Sequence, residues 1–221
     1  MRLHAVGGLC NRLRAVLSYR ALHRDLEVLW RPDEYVSGVR FEDVFDPLEG
    51  VRFLSVAAGW DVEDYAPAKD APEDWEKSYG DLVPVGFLGQ RIADTIEGLR
   101  GTGSLDYTAI HVRRTDHAAA VAFRGEALDP LGAYLDFAGP GPLYLATDNR
   151  ETQTWFRAHR LVYVSAVLRG EQAQDLHDHR RNGTLADAVV DLYVCSMASR
   201  FMGTRDSSFT DTIHALRRLY G

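Results

Sequence analysis

From residue 107 onward the chain alternates short apolar runs with amphipathic stretches, a pattern that strongly favours a parallel β-sheet with crossover helices. Strands are predicted at residues 107–113, 143–147, 161–164 and 201–203, and helices at 129–137, 150–159, 184–199 and 207–219. Parallel neighbours need right-handed crossovers, and the intervening helices are long enough to supply them. The second half therefore reads as a Rossmann-like unit. The first half is less regular: strands are predicted at 2–6, 26–30 and 51–56, and helices at 11–23 and 87–99, the last with Ile92, Ile96 and Leu99 at helical spacing. Residues 61–81 are rich in carboxylates, contain Lys69 and Lys77, and show no period, so they read as surface loops. Gly101-Thr102-Gly103-Ser104 is the best linker, which divides the chain into residues 1–100 and 101–221.

Composition narrows the classes of function. The 221 residues carry 25 Lys and Arg against 32 Asp and Glu, a formal net charge of −7, which argues against bulk nucleic-acid binding. No apolar run approaches the ~20 residues of a membrane span, and the N-terminus is broken by glycine too early for a secretory signal. Cys10 and Cys195 lack metal-ligand spacing, and His177 and His179 flank Asp178 in what reads as a polar loop, so neither a disulfide framework nor a metal site is expected and a cytoplasmic location is. All cations other than Lys69 and Lys77 are arginines, the side chain that grips phosphate in a planar fork.

In open sheets of this class, ligands sit beyond the carboxyl ends of the strands, which directs attention to four segments. Gly7-Gly8-Leu9-Cys10-Asn11-Arg12 joins a strand to a helix and reads either as an anion cradle or as a tight turn capped by Asn11. In His111-Val112-Arg113-Arg114-Thr115-Asp116, His111 and Arg113 share one strand face, so an imidazole and a guanidinium emerge together above the crevice. A phosphate site and a surface ion pair compete as explanations. Ala146-Thr147-Asp148-Asn149 ends a strand, with Asp148 as a ligand or a helix cap. Thr204-Arg205-Asp206-Ser207-Ser208 offers hydroxyls at a helix start, suited to phosphate or to capping.

These segments, in this order, resemble the superfamily of GDP-fucose-dependent fucosyltransferases: the nodulation-type and core α-1,6 enzymes, with the protein O-fucosyltransferases as more distant relatives. The resemblance rests on Gly7-Gly8-x-x-Asn11-Arg12, His111-x-Arg113-Arg114-Thr115-Asp116, Ala146-Thr147-Asp148, and Asp191 ahead of Thr204-x-x-Ser207-Ser208. It is good over residues 105–221 and thin over 13–100. It implies an α/β fold of GT-B form, two Rossmann-like halves facing a cleft, here with the N-terminal half reduced. It further implies metal-independent, inverting transfer of fucose from GDP-fucose to a hydroxyl of a glycan or small-molecule acceptor, without a cofactor. On the same ground Arg113 would grip the β-phosphate and His111 would sit beside the nucleotide. Ser207 and Ser208 would hold phosphates, Asp148 would belong to the donor site, and Asp191 would recognise the guanine or its ribose. Gly8 and Asn11 would close over the diphosphate.

The sequence departs from that pattern after the arginine box. Core-type enzymes follow it with a lysine and then a glutamate acting toward the acceptor; here His117 and the run Ala118-Ala119-Ala120-Val121 stand instead. An acceptor base would then come from Asp116, His117 or Glu126, or be unnecessary. Periodicity alone makes Asp191 a solvated helix residue. Two alternatives follow from the residues: an accessory protein that binds GDP-sugars without catalysis, and a different phosphate-handling transferase such as a sulfotransferase.

Overall fold

The computed structural model describes residues 1–101, 106–169 and 183–220. The linker residues Thr102, Gly103 and Ser104 and the His177–His179 loop lie outside them.

The N-terminal half builds a four-stranded sheet. Strand β1 (Arg2–Ala5) leads through Gly7 and Gly8 into helix α1 (Leu9–Leu22); β2 (Leu26–Leu29), β3 (Val51–Leu54) and β4 (Val62–Asp64) follow. The order is β3-β2-β1-β4 and all three pairings are parallel. Leu3, Ala5, Leu26 and Val28 alternate onto the face that packs against the main core, where α1 contributes Leu13, Val16 and Leu17. The stretch read as surface loop is more ordered than expected. It contains β4 and a 3-10 helix (Trp75–Asp81) that buries Tyr79. Each is anchored by one or two side chains only, too few to leave a period in the sequence.

Helix α2 (Gly86–Arg100) buries Leu88, Ile92, Ile96 and Leu99, as its spacing predicts. The C-terminal half follows as β5 (Thr108–Val112), α3 (Asp116–Phe123), α4 (Leu131–Ala138), β6 (Leu143–Thr147), α5 (Arg150–His159), α6 (Leu185–Ser196), β7 (Arg200–Gly203) and α7 (Ser208–Tyr220). Its sheet has the order β6-β5-β7, again parallel throughout, and every residue of β5 is buried. The strand predicted at 161–164 shrinks to one bridge, Tyr163 opposite Tyr144. Tyr163 keeps two backbone bonds to β6, and beyond it the Gln153 amide holds the departing chain, donating to the Ala166 carbonyl at 2.9 Å and accepting from the Leu168 N–H at 3.0 Å.

One apolar cluster runs through both sheets, from Leu3 and Phe41 through Leu88 and Tyr107 to Val190, Ile213 and Leu216. Helix α1 packs on β1 and β2 and helix α6 on β5 and β6, and α7 joins them, reaching α6, α1 and the 3-10 helix. The carboxyl ends of β1, β5 and β6 are thereby brought to one cleft. Among the described residues no helix is long and apolar enough to cross a membrane.

Candidate functional site

All four strand-end segments contribute to this cleft. Gly7, Gly8, Asn11 and Tyr35 of the N-terminal half line it together with His111, Arg113, Asp148, Asp187, Asp191 and Ser208 of the C-terminal half.

Arg113 leaves the end of β5 on a turn that is fixed from two sides. Its backbone N–H donates to the Thr204 hydroxyl at 2.9 Å, and that hydroxyl donates to the His111 carbonyl at 3.2 Å, with the Tyr134 hydroxyl 3.2 Å away. From the other side, Asp148 accepts from the Arg114 N–H at 3.0 Å and from the Thr115 hydroxyl. Its carboxylate also lies 3.9 Å from the Arg113 Nε. Asp148 is therefore not the helix cap: Asn149 caps α5, accepting from the Thr152 N–H at 2.7 Å. Arg114 turns away to donate to the Asp129 carbonyl, and Arg205 is an exposed partner of Asp129. Of the three arginines near these turns, Arg113 is the one that lines the cleft.

His111 is buried, with Nδ1 2.9 Å from the Thr210 hydroxyl and its ring 4.7 Å from Phe209. Burial, reinforced by Arg113 and His117, pushes its pKa down to about 3, so the imidazole is neutral at physiological pH. Thr210 can approach because residue 203 is glycine; a Cβ there would stand 2.5 Å from the threonine side chain.

The glycine wall is held by Arg12. Its guanidinium donates to the Gly7 carbonyl at 2.7 Å and the Arg31 carbonyl at 2.6 Å, and grips both Asp33 oxygens at 2.7 and 2.6 Å. Gly7 needs its glycine, with φ of +82°. Gly8 is the N-cap of α1 and offers no side chain to satisfy the first amides. Asn11 therefore does not cap the helix; it lies within the first turn and faces the cleft. Arg12 is a brace rather than a ligand.

Asp191 is not a solvated helix residue. It is half-buried, accepts from the Tyr144 hydroxyl at 2.6 Å, and burial raises its pKa to about 7. Asp187 sits one turn earlier and is committed to structure: it accepts from the Thr184 N–H and hydroxyl and from Arg91 at 2.5 Å. Burial raises its pKa, but those donors outweigh it and leave the pKa below the usual value. Arg91 also donates to the Ser165 carbonyl at 2.6 Å, so α2 buttresses this part of the cleft.

Two expected residues stand apart. Ser207 does not line the cleft; it is buried beside Ser208, with no partner for its hydroxyl among the described residues. The Asp116 side chain lies outside what the structure describes. Of the other candidate bases, His117 is buried and Glu126 is exposed and paired with Arg124 at 3.2 Å; neither lines the cleft. Sequence reasoning missed Tyr144, Arg91 and Thr210, which act through chain-distant contacts, and Tyr35, which lines the cleft; Thr204 lay inside a recognised segment. Among the described residues no three His, Cys, Asp or Glu side chains cluster closely enough to hold a metal ion.

No family model and no curated protein matches the sequence. The fold does have solved relatives. It is similar to a crystal structure of NodZ α-1,6-fucosyltransferase soaked with GDP-fucose, at a TM-score of 0.60 and 15% identity, covering 97% of this chain and 92% of that one. The fucosyltransferase NodZ from Bradyrhizobium matches with a TM-score of 0.60 and 15% identity over 96% of this chain and 92% of its own. A NodZ structure co-crystallised with GDP gives 0.60 and 14%, covering 96% and 91%. The chain thus has a fucosyltransferase-like, GT-B-like fold with two Rossmann-like halves.

Proposed function

We propose that the chain is a glycosyltransferase that takes its sugar from a GDP-sugar, fucose in the first instance, and passes it to a hydroxyl acceptor with inversion and without a metal ion. The observation that carries the reading is the pair of groups that line one cleft. A guanidinium, Arg113, whose backbone is tied to Thr204 ahead of α7, and a carboxyl group, Asp191 on α6, both face it. A nucleoside diphosphate offers a partner for each. Its phosphates are anionic, and guanine presents N–H groups that a carboxylate can accept.

In this reading Arg113 neutralises the charge that grows on the departing diphosphate as the glycosidic bond to phosphate lengthens. Loss of one such prepositioned donor raises a barrier by about 3–4 kcal/mol. Ser208 and the free amides at the start of α7 assist it, because aligned peptide dipoles favour negative charge there. His111, neutral and fixed by Thr210, packs beside the nucleotide. Asp148 acts on the donor through Arg113 by holding its turn. The Gly8–Asn11 wall covers the diphosphate, residues 1–100 serve the acceptor, and residues 101–221 hold the donor. Asp116, which follows the arginine box in the sequence, is the candidate for the acceptor proton.

The second reading, a GDP-sugar-binding accessory protein, is favoured by α3: Val121, on the run where the core-type enzymes carry a carboxylate, is buried. Incubation with GDP-fucose and an acceptor panel separates the two. Acceptor-dependent release of GDP is the expected result; tight binding without turnover would select the second reading.

A further inference from the structure

One face of the N-terminal sheet packs on the core; the opposite face carries a different chemistry. Arg2 pairs with Glu27 at 2.8 Å and Arg52 pairs with the same carboxylate, so β1, β2 and β3 present charged side chains on that side. Nearer the carboxyl ends of the strands, His4 Nδ1 meets Glu63 Oε2 at 2.7 Å. The ring of Trp60 packs at a tilt 4.7 Å from the His4 ring, with the Arg31 guanidinium 5.5 Å from its centroid. Trp60 remains 41% exposed, too open for a core role, yet it is positioned by a cation and an imidazole.

We propose that this face, centred on Trp60 with Arg31, His4 and Glu63, is a saccharide-binding platform that holds the acceptor glycan outside the catalytic cleft. The proposal rests on the glycosyltransferase reading, which makes a glycan the second substrate. The chemistry fits a sugar ring. Its C–H face packs on an indole, while its hydroxyls donate to a carboxylate and accept from a guanidinium. Glu63 is half exposed, and its Oε1 has no partner among the described residues. The balanced charges suit a neutral ligand rather than a nucleic acid or an anionic surface.

The platform is also continuous with the cleft. Arg12 holds the Arg31 carbonyl and the Gly7 carbonyl at the same time, so the residue covering Trp60 and the glycine wall of the donor site share one brace. Val6, between His4 and Gly7, donates to the Asp64 carbonyl next to Glu63 at 3.1 Å.

Isothermal titration of the full chain with short neutral oligosaccharides derived from chitin, cellulose and mannan tests this. At least one should bind saturably, and Trp60→Ala should weaken it by about tenfold or more, as loss of an aromatic contact would. Glu63→Gln, which leaves the ring in place, should weaken it less. Both variants should keep the GDP-induced rise in melting temperature, which also shows that they are folded. Failure of every oligosaccharide to bind, equal binding by Trp60→Ala, or self-association abolished by that change would each overturn the platform. Oligosaccharide binding without any response to GDP would instead sink the donor reading and leave the platform standing.

Discussion

At the scale of single residues, Asp191 makes the donor reading sensitive to pH. Its folded pKa of about 7 lies well above the ~3.9 of an unfolded aspartate. The folded state therefore binds the extra proton, and the stability this contributes is present at low pH and lost as pH rises through about 7. Melting temperature should carry a component that falls from about pH 4 to about pH 7, absent in Asp191→Asn. Guanine binding has the opposite sign, because accepting two N–H groups needs the ionised carboxylate. GDP affinity should drop as pH falls below about 7, and the asparagine variant should bind weakly at every pH; an unchanged profile would remove Asp191 from the site. Arg12 offers a prediction about stability. It is 1% exposed while its partner Asp33 is one-third exposed, so its removal strands the Gly7 and Arg31 carbonyls rather than a buried charge and costs about 1–3 kcal/mol. Arg12→Ala should lower the urea midpoint accordingly and loosen the Gly7 wall, read as faster amide exchange there.

At the scale of elements, the turns between strands and helices decide the site, and two substitutions probe them. Gly203→Ala forces a Cβ against Thr210, and overpacking of that kind costs about 1–3 kcal/mol. Because Thr210 orients His111, the variant should lose GDP affinity as well as melting temperature, whereas simple overpacking elsewhere would lower only the latter. Asn149→Ala removes the α5 cap and should cost about 1 kcal/mol with little effect on GDP binding. The helices that bury a full stripe, α2 and α5 above all, were legible from their period, and so were the parallel strands β5 and β6. Others were not. Strand β4 is too short to alternate, the 3-10 helix buries a single tyrosine fully, and residues 161–164 are apolar but pair with the sheet only at Tyr163. The strand-end segments were visible because glycine, arginine and serine must sit where a backbone turns. The division of labour within them was not, since Asp148 and Asn149 look interchangeable until their hydrogen bonds are seen.

For the whole molecule, the apolar cluster that threads both sheets ties the halves into one folding unit. Residues 1–101 and 106–221, expressed separately, should each lack a cooperative transition, whereas the intact chain should melt in a single one; two independent transitions would contradict this. Such coupling also explains why the first half can be small and still shape a wall of the cleft: α1 and the 3-10 helix borrow their core from α7. The central claim is that Arg113 neutralises a guanosine diphosphate in that cleft, and a thermal-shift titration tests it most directly. GDP, without added metal, should raise the melting temperature of the wild type more than UDP does, and Arg113→Ala should abolish the rise. Equal responses to GDP and UDP, no response to either, or a full GDP response in Arg113→Ala would contradict it.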